Sequence, residues 1–102
     1  MLRAIDLVAE FVRDGRDAFF SDVKTQDAVI RRIEVIGEAA RRLSEATRAS
    51  QPDIPWSRIV GMRNELAHGY FSVDLNFVWI AAVERLPELR PRVAAMLRAI
   101  GD

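Results

Sequence analysis

The sequence predicts an all-α fold, an antiparallel helical bundle of four to five helices in a single domain spanning residues 1–102. Apolar residues recur three and four positions apart along most of the chain, the period of helices with one buried face. Glycine and proline are few, five and four in 102 residues, and no segment is repetitive or low in complexity. Half of the residues are apolar, enough for one modest core in a domain that buries roughly 60 to 70% of its unfolded surface.

From Leu2 to about Arg13, the residues Ala4, Ile5, Leu7, Val8, Phe11 and Val12 form a broad apolar face opposite Arg3, Asp6, Glu10 and Arg13. Gly15 closes this short first helix, and a connection follows through Asp17 to Asp22. Thr25 can cap a long second helix, on which Val29, Ile33, Ile36, Ala40, Leu43 and Thr47 fall within about 80° of one another at ~100° per residue. Beside that core-facing arc, Gly37 and Ser44 are small enough for another backbone to come close. Arg31, Glu34, Glu38, Arg41, Arg42 and Glu45 make a solvated side, with Glu38 and Arg42 as a favourable i,i+4 pair.

The stretch from Ala49 to Asp53 reads as a loop. Asp53, with Pro55 in the following turn, starts a third helix that runs to about His68, where Gly69 suits the position after a helix end. A fourth helix, from about Asp74 to Leu86, is bounded by Pro87. It places Leu75, Val78, Trp79, Ala82 and Leu86 on one side and Phe77, Ile80 and Ala81 on another. One core contact does not cover both sides, and a partner subunit could. The tail from Arg90 to Ile100 forms a last amphipathic helix, with Pro91 in its first turn because an interior proline would break it.

Composition narrows the function. No apolar run approaches the ~20 residues of a membrane span, and Arg3 and Asp6 charge the first residues, unlike a secretory signal, so the expected location is cytoplasmic. With no cysteine and one histidine, the chain lacks the nitrogen and sulfur ligands that zinc prefers, which argues against transition-metal catalysis. Fifteen basic residues balance fifteen acidic ones, so any contact with nucleic acid must be local.

One stretch stands apart. Arg63-Asn64-Glu65-Leu66-Ala67-His68-Gly69-Tyr70 holds the only histidine and the only tyrosine of the chain. An imidazole titrates near neutral pH and a guanidinium fork suits a phosphate. On a helical wheel, Trp56, Ile59, Val60, Leu66 and Ala67 form one apolar arc with Arg63 in its middle. A buried unpaired guanidinium would cost several kcal/mol, so Arg63 must meet a carboxylate such as Glu38, reach solvent along its stem or line a cleft. Val60 and Ala67 would floor that cleft, with Arg63 on one flank and Asn64 and His68 on the other. A bland reading also fits: His68 gains from the dipole at a helix C-terminus, and Tyr70 staples the loop.

These residues carry a resemblance. The sequence resembles the HepT-like toxins of the HEPN superfamily, whose motif is Arg-x-x-x-x-His-x-Tyr, commonly with Asn after the Arg. The likeness extends to Lys24-Thr25-Gln26-Asp27-Ala28-Val29, Ile36-Gly37-Glu38-Ala39-Ala40, Pro55-Trp56 before Gly61-Met62-Arg63, Val73-Asp74 with Val78-Trp79, and Leu86-Pro87-Glu88-Leu89, in family order and spacing. Members usually carry additional residues ahead of the segment matching Leu2-Arg3-Ala4-Ile5, so the first helix is expected to be short here. The resemblance implies a HEPN-like helical bundle and a metal-independent endoribonuclease that acts as a homodimer and needs no cofactor. It also implies the toxin role in a toxin-antitoxin pair whose antitoxin is an MntA-like nucleotidyltransferase. Arg63 and His68 would be catalytic, Asn64 would support the site, and Tyr70 would accept AMP from the antitoxin. RNA cleavage by its own 2′-hydroxyl needs a proton acceptor, a proton donor and charge stabilisation, and one chain offers one imidazole. Two copies would complete the set. The alternative is a non-catalytic HEPN dimer that binds a nucleotidyltransferase partner or nucleotide, a reading that zero net charge favours over strong RNA binding.

Overall fold

The computed structural model describes residues 1–68 and 73–101, without the side chains of residues 67, 68 and 101. Every regular element among them is helical. The expected first helix, α1 (Leu2–Phe11), buries Ala4, Ile5 and Val8. Gly15 follows with φ of 97°, a left-handed conformation that costs glycine little, and it begins a second helix as much as it ends the first. The expected connection over Asp17 to Asp22 is therefore largely helix α2 (Arg16–Ser21). It is too short for periodicity to register, and tertiary packing anchors it. The ring of Phe19 is fully buried, 5.2 Å from Phe20 and 5.4 Å from Trp79.

The long helix is α3 (Val23–Arg42), and its cap is Asp22 rather than Thr25. Asp22 Oδ1 accepts from the Lys24 amide at 3.1 Å, and Thr25 Oγ1 donates to Asp22 Oδ2 at 2.8 Å, so Thr25 supports the cap from the first turn. Val29, Ile33, Ile36 and Ala40 are buried as expected. Leu43 and Thr47 do not continue the arc, because the chain turns at Leu43 and Ser44 caps α4 (Glu45–Ala49). The Ser44 hydroxyl accepts from the Thr47 amide at 3.1 Å, an alternative to continuing the helix. Ser44 thus serves as a cap and not as a site of close backbone approach.

The third expected helix is α5 (Trp56–His68), which starts just after Pro55. Trp56 Nε1–H donates to the carbonyls of Arg48 at 3.0 Å and Gln51 at 3.1 Å, tying the start of α5 to the α4 corner. Arg63 meanwhile lies beside Gly37 and Glu38, so α5 runs antiparallel to α3.

The expected break at Pro87 is absent. Helix α6 (Leu75–Ile80), a π-turn over Ala81–Arg85 and α7 (Leu86–Gly101) form one helical run, with Pro91 inside α7 rather than near its start. Pro87 and Pro91 have no N–H to give to the preceding turn, and both prolines are exposed, so their rings sit on the solvent side of the helical run. Ala81, expected on the side of Phe77 and Ile80, is instead buried with Ala82 at the start of the π-turn. Phe77 and Ile80 remain 39% and 42% exposed.

Helix α3 lies at the centre, packed on α1, α2, α5 and α6. Arg90 Nε donates to Asp6 Oδ1 at 2.6 Å and ties α7 to α1. Among the described residues no helix is long and apolar enough to cross a membrane.

Candidate functional site

Arg63 is placed by a glycine. A Cβ on Gly37 would overlap Arg63 Cβ and lie 2.9 Å from its Cγ, so only glycine on α3 lets α5 come this close. The sequence marked Gly37 for that use. The approach aligns the aliphatic stem of Arg63 with the α3 backbone, while Ile59 and Leu66 on the same helix enter the core. The Arg63 side chain is 33% exposed, with Nε 3.8 Å from Glu38 Oε2 and Nη1 donating to Asn64 Oδ1 at 3.1 Å. Its misfit on the apolar arc is thus resolved in two of the expected ways at once: it meets a carboxylate and it reaches the surface.

Glu38 is the hub of a small cationic cluster. Arg41 donates to both of its oxygens, at 2.7 and 3.2 Å, and Arg42 Nε donates to Oε1 at 3.1 Å. The Arg41 hydrogen bonds lead in lowering the Glu38 pKa to about 2, with Arg42 contributing and partial desolvation opposing. Arg41 is raised in return, chiefly by the same hydrogen bonds. Arg63 approaches only at ion-pair distance, so donors on its fork remain for another anion.

Asn64 is exposed one residue on and lines an open groove of about 620 Å³ between α5 and the α3–α4 corner. Val60 belongs to that groove as expected, but Arg63 is not among its lining residues and reaches it only through Asn64. In place of the expected flanks, Arg63 against Asn64 and His68, the observed groove sets Asn64 and Val60 on α5 against Arg41 and Arg48 opposite. The backbone of α5 continues to His68, one turn past Asn64. The side chains of His68 and Ala67 and the whole of Tyr70 lie outside the described residues.

The structure thus joins Arg63 to Asn64, and it adds Gly37, Glu38, Arg41 and Arg48, which were not assigned to the site from sequence. Two signals pointed toward Glu38 and Gly37: the charge of Arg63 on an apolar arc, for which an acid was one of three expected solutions, and a glycine beside the core face of α3. Arg48, in a short helix without periodicity, gave none.

Comparison with protein families matches residues 1–96 to the family described as Ribonuclease HepT-like. The chain is 41% identical over 88 residues to a probable ribonuclease HepT of Thermococcus cleftensis, covering 85% of this chain and 80% of that protein. A candidate RNase of Methanocaldococcus jannaschii is 35% identical over 94 residues, covering 91% of this chain and 86% of its own length. A second protein of that archaeon, named for both γ-glutamylcyclotransferase and RNase functions, is 37% identical over 101 residues, which make up 46% of its length. No solved structure matches significantly.

Proposed function

The chain belongs to the HepT-like ribonuclease family, and from that premise we propose that it is a metal-independent endoribonuclease whose active site is completed across a homodimer. In this reading it is the toxin of a toxin-antitoxin pair, neutralised when an MntA-like nucleotidyltransferase adds AMP to Tyr70. The observation that carries it is the Arg63–Asn64 pair, a partly exposed guanidinium held by Gly37 and Glu38 beside an asparagine one helical turn ahead of the only histidine.

The reaction asks little more of the protein. The ribose 2′-oxygen bonds to the adjacent phosphorus, the bond to the leaving 5′-oxygen breaks, and a cyclic phosphate and a free 5′-hydroxyl result. One His68 accepts the 2′-hydroxyl proton and the second protomer's copy donates one to the 5′-oxygen. The Arg63 forks take the charge that grows on the phosphate oxygens, and Asn64 holds Arg63 in register. An adenylate on Tyr70 brings bulk and negative charge to the place where that phosphate must sit.

His68→Ala should lower the cleavage rate by ~100-fold or more with circular dichroism unchanged. Equal cleavage by both proteins would end the proposal, and a fully active, strictly monomeric preparation would end its dimeric part. Intact mass of the protein expressed with its neighbouring nucleotidyltransferase should rise by whole AMP units mapping to Tyr70. A second reading, a non-catalytic HEPN dimer that docks a nucleotidyltransferase or binds nucleotide, is favoured by the zero net charge of the chain. Co-purification with that partner and no RNA cleavage by the free protein would select it.

A further inference from the structure

The groove beside Asn64 has a composition that the cleavage step itself does not use. Arg41 and Arg48 stand on its α3–α4 wall with a single carboxylate, Glu45, and Trp56 lies at its edge. Arg48 is half-buried, and among the described residues no carboxylate pairs with it, unlike Arg41, which shares Glu38 with Arg42 and Arg63. A partly desolvated guanidinium without an acid is poised to take an anion from solution. Trp56 spends its only donor on the carbonyls of Arg48 and Gln51, which fixes the ring, packed in part against the core and in part lining the groove.

We infer that this groove is a single-stranded RNA subsite, seating the nucleotide next to the scissile phosphate with its own phosphate on Arg48 and Arg41 and its base against Trp56. The inference rests on the ribonuclease reading and extends it along the substrate. Continuity supports it, because Asn64 both lines the groove and accepts from Arg63 at 3.1 Å, so a strand leaving Arg63 enters the groove directly. Charge supports it too. A chain of zero net charge holds RNA only through a local basic surface, and this one sets two guanidiniums against one carboxylate beside the proposed reacting centre. Stacking on an indole whose N–H is already used accepts any base, so the subsite contributes affinity with little sequence preference.

The test uses the His68→Ala protein, which should bind without cutting, and a mixed-sequence single-stranded oligoribonucleotide over a salt series. Arg41→Ala and Arg48→Ala should each weaken binding about tenfold, and the double variant should flatten the salt dependence by about 0.7 in log–log slope, the share of one phosphate. Arg98→Ala, on the exposed side of α7, should do neither. In the cleaving protein, Arg48→Ala should raise KM by about tenfold with a much smaller change in kcat. RNA should quench indole emission, and Trp56→Phe should remove the quench while binding persists through its ring. Unchanged slopes and KM in a protein that cleaves RNA would overturn the subsite alone. A change of oligomeric state in Arg48→Glu, with RNA affinity intact, would also overturn it by making the groove a contact between copies. Absence of both binding and cleavage in the wild type would overturn the ribonuclease reading itself.

Discussion

Glu38 shows how one carboxylate organises a site without belonging to a core. It lies on a face that reads as solvated, yet three arginines converge on it, two through hydrogen bonds and Arg63 at 3.8 Å. With its pKa drawn from 4.5 to about 2, its favourable contribution is fully present above about pH 4.5 and disappears as pH falls toward 2. Glu38→Gln should therefore melt below the wild type at neutral pH, and the gap should close on acidification to about pH 2. A gap independent of pH would show that the carboxylate's charge does not hold the cluster. The same substitution should slow RNA cleavage, because Arg63 would lose the acid that orients it. This arrangement was half legible in the sequence. The wheel showed that Arg63 needed a carboxylate, solvent or a cleft and that Gly37 could admit another backbone, but the convergence of Arg41, Arg42 and Arg63 depends on two helices crossing at that glycine, which one helix's periodicity does not contain.

Helix by helix, the long amphipathic stretches could be read and the corners could not. Periodicity located α1, α3 and α5 because each buries a continuous stripe against the centre of the bundle. It missed α2 and α4, of six and five residues, whose existence depends on Phe19 packing and on the Ser44 cap. Proline misled in α7, since Pro87 and Pro91 both lie on exposed positions of one continuous helical run, where the missing donor and the ring do not disturb the core. Glycine invites a test in α5. Gly61 sits mid-helix with nothing within 4 Å of where its Cβ would be, so in the isolated chain it costs helix stability and spares no clash. Gly61→Ala should stabilise the folded chain by about 0.5–1 kcal/mol, raising the melting temperature by several degrees. A fall in melting temperature would mean that a second copy needs the bare backbone there.

At the scale of the whole molecule, the lone histidine and the apolar side of α6 bear on the same question. Phe77, Ile80 and Val83 recur every third residue along α6 and the π-turn, all exposed. Phe77 also borders an apolar groove of about 650 Å³ between α5 and α7, with Met62 on its floor. The rim mixes signs, Arg58, Arg85 and Arg92 with Glu65 and Glu88, as a two-fold contact between identical surfaces requires if each charge is to meet its opposite. Gly61 lines this groove and the Asn64 groove alike, so a second copy seated on the apolar side would come against the part of α5 that carries Asn64. A dimer formed there would supply the second imidazole that one chain lacks. Phe77→Arg removes apolar area without opening the core, because Phe77 is 39% exposed while its neighbour Val78 carries the buried contact. Sedimentation should then find a folded monomer, and RNA cleavage should fall by ~100-fold or more, since a monomer would keep only one of the two imidazoles of the proposed composite site. A Phe77→Arg protein that still sediments as a dimer would move the interface to another face, and one that is monomeric yet fully active would return the whole reaction to a single chain.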